Sequence, residues 1–242
     1  GLVLIVLISG VSGCATLSYY GQSIQGHLDV MSKAEPIPRI LEDKGQPATL
    51  RQRLAKAMAM RRFASQQLGL PDNGSYRRYA DLHRSYVVWN VFAAPEFSVE
   101  PVQWCYLVVG CVSYRGYYDQ AEAESFADRL RAEGKDVYIG GVPAYSTLGW
   151  FDDPLLNTML KWSDTRLARQ IFHELAHQVL FVEGDTPFNE SFASTVERVG
   201  VIRWLQATAE PQAVSDYLQA LKRQRQFEDL LIGTRERLAD LY

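Results

Sequence analysis

The sequence predicts an α+β fold, because helical patterns at both ends enclose a middle section with the texture of strands. Residues 50–68, "LRQRLAKAMAMRRFASQQL", are helix formers, and Gly69 and Pro71 stop them. Between Tyr86 and Tyr118, segments such as "YVVWNVFAA" and "YLVVGCVSYRGYY" are rich in β-branched and aromatic residues and predict two or three antiparallel strands. A run of strands beside runs of helices is typical of the α+β class.

Start and stop signals predict the remaining elements. A helix from Asp119 to Glu133 is expected to end at Gly134, and "DVYIGGVPAYSTLGW" is predicted as a short strand that runs into a loop. The next helix, capped by a residue at 163 or 164, is expected to extend to about Val182 and to end at Gly184. The other predicted segments are a helix up to about residue 31, a linker at 34–49, and helices over 189–209 and 211–242.

Composition and charge are those of an ordinary globular chain. Apolar residues make up 47% and charged residues 22% of the 242 residues, which is enough to bury a sizeable core. The formal net charge of −3 gives no basic field, so we expect no nucleic-acid partner.

The first residues indicate export from the cytoplasm. "LVLIVLISGVSGC" is a short apolar run closed by small residues and a cysteine, as in the core and cleavage site of a secretory signal. Its last four residues, Val11 to Cys14, resemble a bacterial lipobox, in which the cysteine becomes the first residue and carries lipid. We therefore expect residues 1–13 to be a signal peptide remnant, Cys14 to be lipidated, and the protein to be anchored in the bacterial cell envelope, at the outer membrane or the periplasmic face. An ordinary signal peptide that happens to contain a cysteine is the alternative.

The two other cysteines, Cys105 and Cys111, would then face an oxidising compartment. On one continuous strand they would lie too far apart for a disulfide, whereas a turn near Gly110 would bring them together. The sequence leaves open whether these cysteines form a disulfide or remain two buried thiols.

The stretch "HELAH" places His173 and His177 one turn apart, on the same face of a helix, so that both imidazoles can reach one metal ion. Glu174 is rotated about 100° from His173, which puts it beside the ion, where a general base takes a proton from a zinc-activated water. The residues Ala168, Phe172, Leu175 and Val179 form an apolar stripe that is expected to pack on the core.

A catalytic zinc site usually takes a third protein ligand, and three glutamates compete for that place. Glu183 lies where some zinc peptidases have their third ligand, but those sites need a glycine where Leu180 stands. Glu190 follows the turn "EGDTPF", which can bring a new helix against the first one, and it is the preferred ligand. Glu197 lies two turns further along that helix and is expected to orient a histidine.

The segment "FHELAHQVLFVEGDTPFNESFAS" resembles the gluzincin metallopeptidases, which pair HExxH with a downstream NE on a second helix. The chain is more closely similar to the bacterial family of predicted lipoprotein aminopeptidases. That similarity rests also on "GLPDNGSYRRYADL", "YVVWNVFAAPEFS", "GCVSYRGYY" and "AYSTLGWFDDPLL", and it extends from Cys14 to about Leu205.

The resemblance implies a zincin-like fold with a small antiparallel sheet, a catalytic helix and a second, Glu-bearing helix, in one metallopeptidase domain over residues 14–242 that is truncated at its C-terminus. It implies Zn²⁺ bound by His173, His177 and Glu190, with Glu174 as general base, in a zinc peptidase that acts on peptides as an aminopeptidase. Twelve residues separate His177 from Glu190, fewer than in thermolysin-like enzymes, so other pocket residues of those enzymes cannot be carried over by position.

The sequence identifies the other residues around the predicted metal less clearly. Tyr145 is the preferred donor to the oxyanion of the reaction, with Tyr114 and Arg115 as alternatives by chemistry. The strand at 137–145 is expected to run beside the catalytic helix and to pair with the substrate backbone.

An aminopeptidase also needs a carboxylate for the substrate amine. The candidates are Glu183, Asp185, Asp152 and Asp153, although each of them, taken alone, is better explained as a loop or helix-cap residue. Cleavage inside peptides, and a zinc-binding envelope lipoprotein without turnover, are the rival functions.

Overall fold

The computed structural model describes residues 18–106, 110–208 and 211–242. Its helices are α1 (18–32), α2 (Ile37–Glu42), α3 (Ala48–Leu68), α4 (Gln120–Ala132), α5 (Asp164–His177), α6 (Thr186–Thr208) and α7 (Pro211–Leu241). Its strands are β1 (Glu35–Pro36), β2 (Arg78–Ala80), β3 (Val88–Pro95), β4 (Trp104–Tyr106), β5 (Gly110–Val112), β6 (Arg115–Tyr117), β7 (Lys135–Val142) and β8 (Leu155–Leu156). The predicted α+β class is confirmed.

The described residues form two compact units. The first contains the described residues up to Ser32 together with Arg84–Ala144 and Leu238–Tyr242, and the second contains Lys33–His83 and Tyr145–Arg237. That residues 14–242 act as one peptidase domain stays a prediction.

An antiparallel sheet with the strand order β6-β3-β7 forms the frame of the first unit. Helix α4 covers one face of this sheet, and its residues Ala123, Phe126, Ala127 and Leu130 pack into the core of the unit. Helix α1 is held at the edge strand β6 by Gln22, which donates to the backbone oxygen of Gly116 and accepts from the backbone N–H of Tyr118, both at 3.2 Å.

Strands β4 and β5 form a separate hairpin in the first unit, and their residues Cys105 and Cys111 face each other across it. The two cysteines form a disulfide, which decides between the two alternatives that the sequence leaves open.

Three helices, α3, α5 and α6, pack together in the second unit, beside a small sheet of order β1-β2-β8. The ring of Phe63 lies 6.2 Å from that of Phe172 and 5.3 Å from that of Trp204, so one residue of each helix meets in the core. Gly200 allows the close approach of α6, because a Cβ there would lie 2.7 Å from Leu68 and 3.0 Å from Phe172.

Several predicted boundaries are wrong. Helix α5 ends at His177 instead of Val182, so Val179 leaves the expected apolar stripe and is exposed. Helix α6 begins at Thr186, three residues before the predicted start. Part of the predicted linker at 34–49 folds as β1 and α2, because its apolar residues Ile37 and Ile40 are buried.

The predicted signal peptide remnant and the lipidation site at Cys14 lie outside the described residues. Within the described ranges, no helix combines the length and apolarity needed to cross a bilayer.

Candidate metal centre

Helix α5 carries the "HELAH" motif and is fixed at its start and along one face. Its N-cap, Ser163, accepts a hydrogen bond from the backbone N–H of Arg166 at 3.2 Å, as predicted. The carboxylate of Asp164 pairs with Arg53 and with Lys56 of α3, which ties the first turn of α5 to that helix. The buried face of α5 consists of Leu167, Ala168, Ile171, Phe172, Leu175 and Ala176. The histidines therefore lie at the flank of this face.

A short turn reverses the chain after α5 and brings α6 back against it. Gly184 has a φ of +80°, in the left-handed region, and Asp185 accepts from the backbone N–H of Phe188 at 3.0 Å. The buried side chain of Asn189 donates to the backbone oxygen of Val182 and accepts from its N–H, both at 2.8 Å. Asn189 thereby fastens the turn to the helix, and the residue after it is Glu190.

His173, His177 and Glu190 converge, with one ligand atom from each within 4.8 Å of the others. The Nε2 atoms of the two histidines lie 3.1 Å apart. Nε2 of His173 is 3.3 Å from Oε2 of Glu190, and Nε2 of His177 is 3.5 Å from Oε1. His177 is 5% exposed, whereas the side chain of Glu190 is 56% exposed, so the group has a buried floor and an open side. The group could hold a metal ion, and it contains neither Glu183 nor Glu197.

Glu197 supports His173 from the other side of the imidazole ring. Its Oε2 lies 3.1 Å from Nδ1 of His173, and its Oε1 accepts from Nε of Arg169 at 2.5 Å. This contact fixes the orientation of the ring and leaves Nε2 for a ligand, which is the geometry expected of a residue that orients a metal-binding histidine. Nδ1 of His177 is buried and has no hydrogen-bond partner among the described residues.

Glu174 lies next to the group without belonging to it. Its Oε1 accepts from Nε2 of Gln170, one turn earlier on α5, at 2.6 Å. The hydroxyl group of Ser146 also lies close to its carboxylate. Ser146 itself is held by Asp153, whose carboxylate accepts from the hydroxyl of Ser146 at 3.2 Å and from the backbone N–H of Thr147 at 2.8 Å.

The pKa values at the centre follow from burial and neighbouring charge. Burial raises the pKa of Glu174, and the nearby carboxylates of Asp153 and Glu190 add to the effect. Burial and the charge of His173 lower the pKa of His177. Burial alone would lower the pKa of His173, but its hydrogen bond to Glu197 and the surrounding carboxylates raise it overall. Carboxylates thus gather around two imidazoles, an arrangement that attracts a cation.

The four carboxylates predicted to bind the substrate amine differ in burial and in hydrogen bonding. Asp153 is buried and used within its loop, and Asp185 caps α6, so both take the structural alternative. Asp152 and Glu183 remain exposed.

The predicted oxyanion donors are divided between the units. Tyr145 is half-buried in the loop just before Ser146, in the unit that contains His173, His177 and Glu190. Tyr114 and Arg115 belong to the other unit, as does β7, which is the strand proposed to bind substrate. The roles of Tyr145 and of β7 stay predictions.

Sequence reasoning missed the residues that hold the site in place. Arg169 supports Glu197 of α6, whereas Gln170 precedes Glu174, the residue that it supports, by one helical turn, at i−4. That spacing was visible in the sequence. Ser146 carried no such signal, because only the loop conformation brings it to Glu174.

Exposed apolar residues surround the end of α5 that bears His177. Four consecutive residues, 179–182, are exposed, and the ring of Phe181 lies 6.3 Å from that of His177. Gly149 packs on Gln178, and the loop at this glycine exposes Trp150 and Phe151. An apolar surface of this kind marks a place where another molecule binds.

Comparison with known proteins gives one match. A family model described as "Putative aminopeptidase" matches residues 18–242. No curated protein and no solved structure matches the chain.

The contact between Glu197 and His173 predicts a loss of metal affinity in the variant Glu197→Gln. The amide retains the size of the side chain but removes the charge that orients Nδ1, so we expect the affinity for Zn²⁺ to fall about 10- to 100-fold. Competition with a chelating dye measures this. Glu42→Gln, on the exposed face of α2, is the control and should bind as the wild type does. Equal affinities in both variants, with folding intact by circular dichroism, would mean that Glu197 does not support the site.

Proposed function

Because the chain belongs to the family described as "Putative aminopeptidase", we propose that it is a zinc-dependent peptidase that removes residues from the N-terminus of peptides. The observation that carries the proposal is the convergence of His173, His177 and Glu190 with Glu174 beside them. If the two histidines only formed hydrogen bonds within the protein, there would be no reason for several carboxylates to surround them.

The donor set fits zinc. Two imidazole nitrogens and one carboxylate oxygen are a common protein ligand set of catalytic zinc sites, which leave one position open. His173 and His177 would supply Nε2, and Glu190 would supply a carboxylate oxygen from the exposed side of the group. When bound, zinc lowers the pKa of water to about 7 and polarises a carbonyl group.

Glu174 serves as the general base and then as the general acid. One oxygen of its carboxylate is held by Gln170 and the group is half-buried, which restricts its orientation. The carboxylate takes a proton from the attacking water and passes it to the amine nitrogen that leaves when the peptide bond breaks. The burial that raises its pKa also strengthens it as a base.

The apolar surface around His177 favours substrates that have apolar side chains near the cleaved bond. Phe181 and Phe188 flank the segment that joins α5 to α6, and both are exposed. An aromatic or aliphatic side chain of the substrate would cover part of this surface, with about 25 cal/mol gained for each Å² of apolar surface removed from water.

The proposed chemistry is tested by Glu174→Gln. The amide cannot take a proton, so we expect hydrolysis to fall at least about 100-fold, since general base catalysis contributes that much or more. Zinc content and the melting curve should stay as in the wild type, because Glu174 is not in the metal-binding group. His173→Ala should lose the metal as well. Zinc binding at a full stoichiometry with no hydrolysis by the wild type would instead support a zinc-binding protein without turnover.

Exopeptidase action is tested with matched peptides that begin with leucine or phenylalanine, with the N-terminus either free or acetylated. A free amine is cationic or partly so near neutral pH, and we expect only the free peptides to be cleaved, at the first bond. Mass spectrometry of the products gives the position of the cut. Cleavage of both forms at similar rates, or cuts in the interior, would leave the zinc chemistry standing and remove the aminopeptidase assignment.

Anchoring in the bacterial cell envelope is a further part of the proposal, supported by the lipobox-like sequence that ends in Cys14. In a precursor with a complete signal peptide, Cys14→Ser should abolish labelling by a fatty acid, because the serine hydroxyl does not replace the acylated thiol. Metabolic labelling followed by gel fluorography measures this, with Cys105→Ser as the control that retains the label. Equal labelling of wild type and Cys14→Ser would exclude lipidation at this position.

A further inference from the structure

The first unit contains a cavity of about 570 Å³ between α1, β6 and α4. Two arginines line it, Arg115 from β6 and Arg129 from α4, together with the aromatic side chains of Tyr19, Tyr117 and Phe126. Its volume is within the range of small-molecule sites, about 300–1,000 Å³. Nothing in the proposed peptidase chemistry uses this part of the chain.

The guanidinium of Arg115 is packed among aromatic rings. Its Cζ lies 4.1 Å from the ring centroid of Tyr19, 4.8 Å from that of Phe126 and 5.7 Å from that of Tyr117. Contacts of this kind stabilise a cation. Nε of Arg115 is buried and has no hydrogen-bond partner among the described residues.

A buried N–H of a charged group normally has a hydrogen-bond partner, because a buried donor without one is unfavourable. Neither Arg115 nor Arg129 forms an ion pair within the described part of the chain, whereas Arg131 on the same helix pairs with Asp128 at 2.8 Å. Burial also raises the pKa of Tyr117 to about 12, even with Arg115 nearby, so the floor of the cavity is withdrawn from water.

We propose that this cavity binds a small molecule in which a single carboxylate is attached to an aromatic or apolar group, with the carboxylate on the N–H edge of Arg115. Two guanidiniums and the carboxylate of Glu122 line the cavity, which leaves it with a net charge of one positive unit. That charge matches one carboxylate, and the planar guanidinium fits its two oxygens. The aromatic walls provide the contact for the rest of the ligand. A free carboxylic acid and the C-terminal residue of a peptide share this chemistry.

Binding is measured by NMR through the side-chain Nε–H signal of Arg115, which is assigned by its absence in Arg115→Lys. The probes are 3-phenylpropionate, its neutral amide, acetate, and the N-acetylated tripeptide Ala-Ala-Phe with a free or an amidated C-terminus. We expect a saturable shift with 3-phenylpropionate, and an affinity about tenfold or more above that of the amide, since hydrogen bonds to charged groups are the stronger ones. A shift with the free tripeptide but not with its amide would identify the peptide C-terminus as a source of the ligand.

Two substitutions of Arg115 make the assignment specific, and their affinities are measured by ligand-observed NMR, because neither variant contains the Arg115 signal. Arg115→Gln should lose the affinity for 3-phenylpropionate, and Arg115→Lys should lose most of it, because lysine keeps the charge without the planar pair of donors. Arg131→Gln, whose arginine already has a partner in Asp128, should bind as the wild type does. Equal binding of acid and amide, no shift of the Arg115 signal at ~10 mM ligand, or unchanged affinity in Arg115→Gln would overturn the proposal. Tighter binding of phenyl phosphate than of the carboxylate would also overturn it, in favour of a phosphate site. None of these readouts depends on peptidase activity.

Discussion

The candidate site depends on how closely α6 can pack against α5 after the short turn that joins them. Asn189 fastens this turn through two hydrogen bonds to the backbone of Val182, and Gly200 lets α6 approach Phe172. With both ends of the contact fixed, two residues of α6 reach one imidazole. Glu190 approaches Nε2 of His173, and Glu197, about 10 Å further along the helix axis, approaches Nδ1. A shift of α6 by one residue would rotate both carboxylates away from the ring.

Electrostatic repulsion is the cost of this packing. Glu174, Glu190 and Glu197 lie around two imidazoles, and the burial of Glu174 and Glu197 opposes ionisation of both. At Glu197, the hydrogen bonds from His173 and Arg169 outweigh the effect of burial, so the pKa of this carboxylate is lowered overall. Among the described residues Glu190 has no arginine partner, and it is the member of the group on the exposed side. A bound cation would relieve the remaining repulsion, which is why zinc and the fold of this region should stabilise each other.

The two units of the chain concentrate opposite charges. In the second unit carboxylates converge on histidines, and in the first unit arginines lie among aromatic rings without carboxylate partners in the described residues. A negative site suits a metal and a cationic substrate amine, whereas a positive cavity suits a carboxylate. The peptide chemistry and the proposed second ligand therefore rest on separate observations, and either can be removed by a variant without changing the other.

By itself, the sequence determined the α+β class, a helix that ends at Leu68, the start of the helix at Asp164, and the placing of His173, His177 and Glu174 on that helix, because these depend on local periodicity and capping. It narrowed the third position to three glutamates and favoured Glu190, but it could not show the contact, since that depends on where α6 returns. Only the tertiary structure decided that Glu190 joins the histidines, that Asp153 serves its own loop through Ser146 and Thr147, and that Cys105 meets Cys111 across a hairpin. The physical reason is that these contacts are made across turns, and packing sets the geometry of a turn. The spacing of residues along the sequence does not show in which direction the chain continues after a turn.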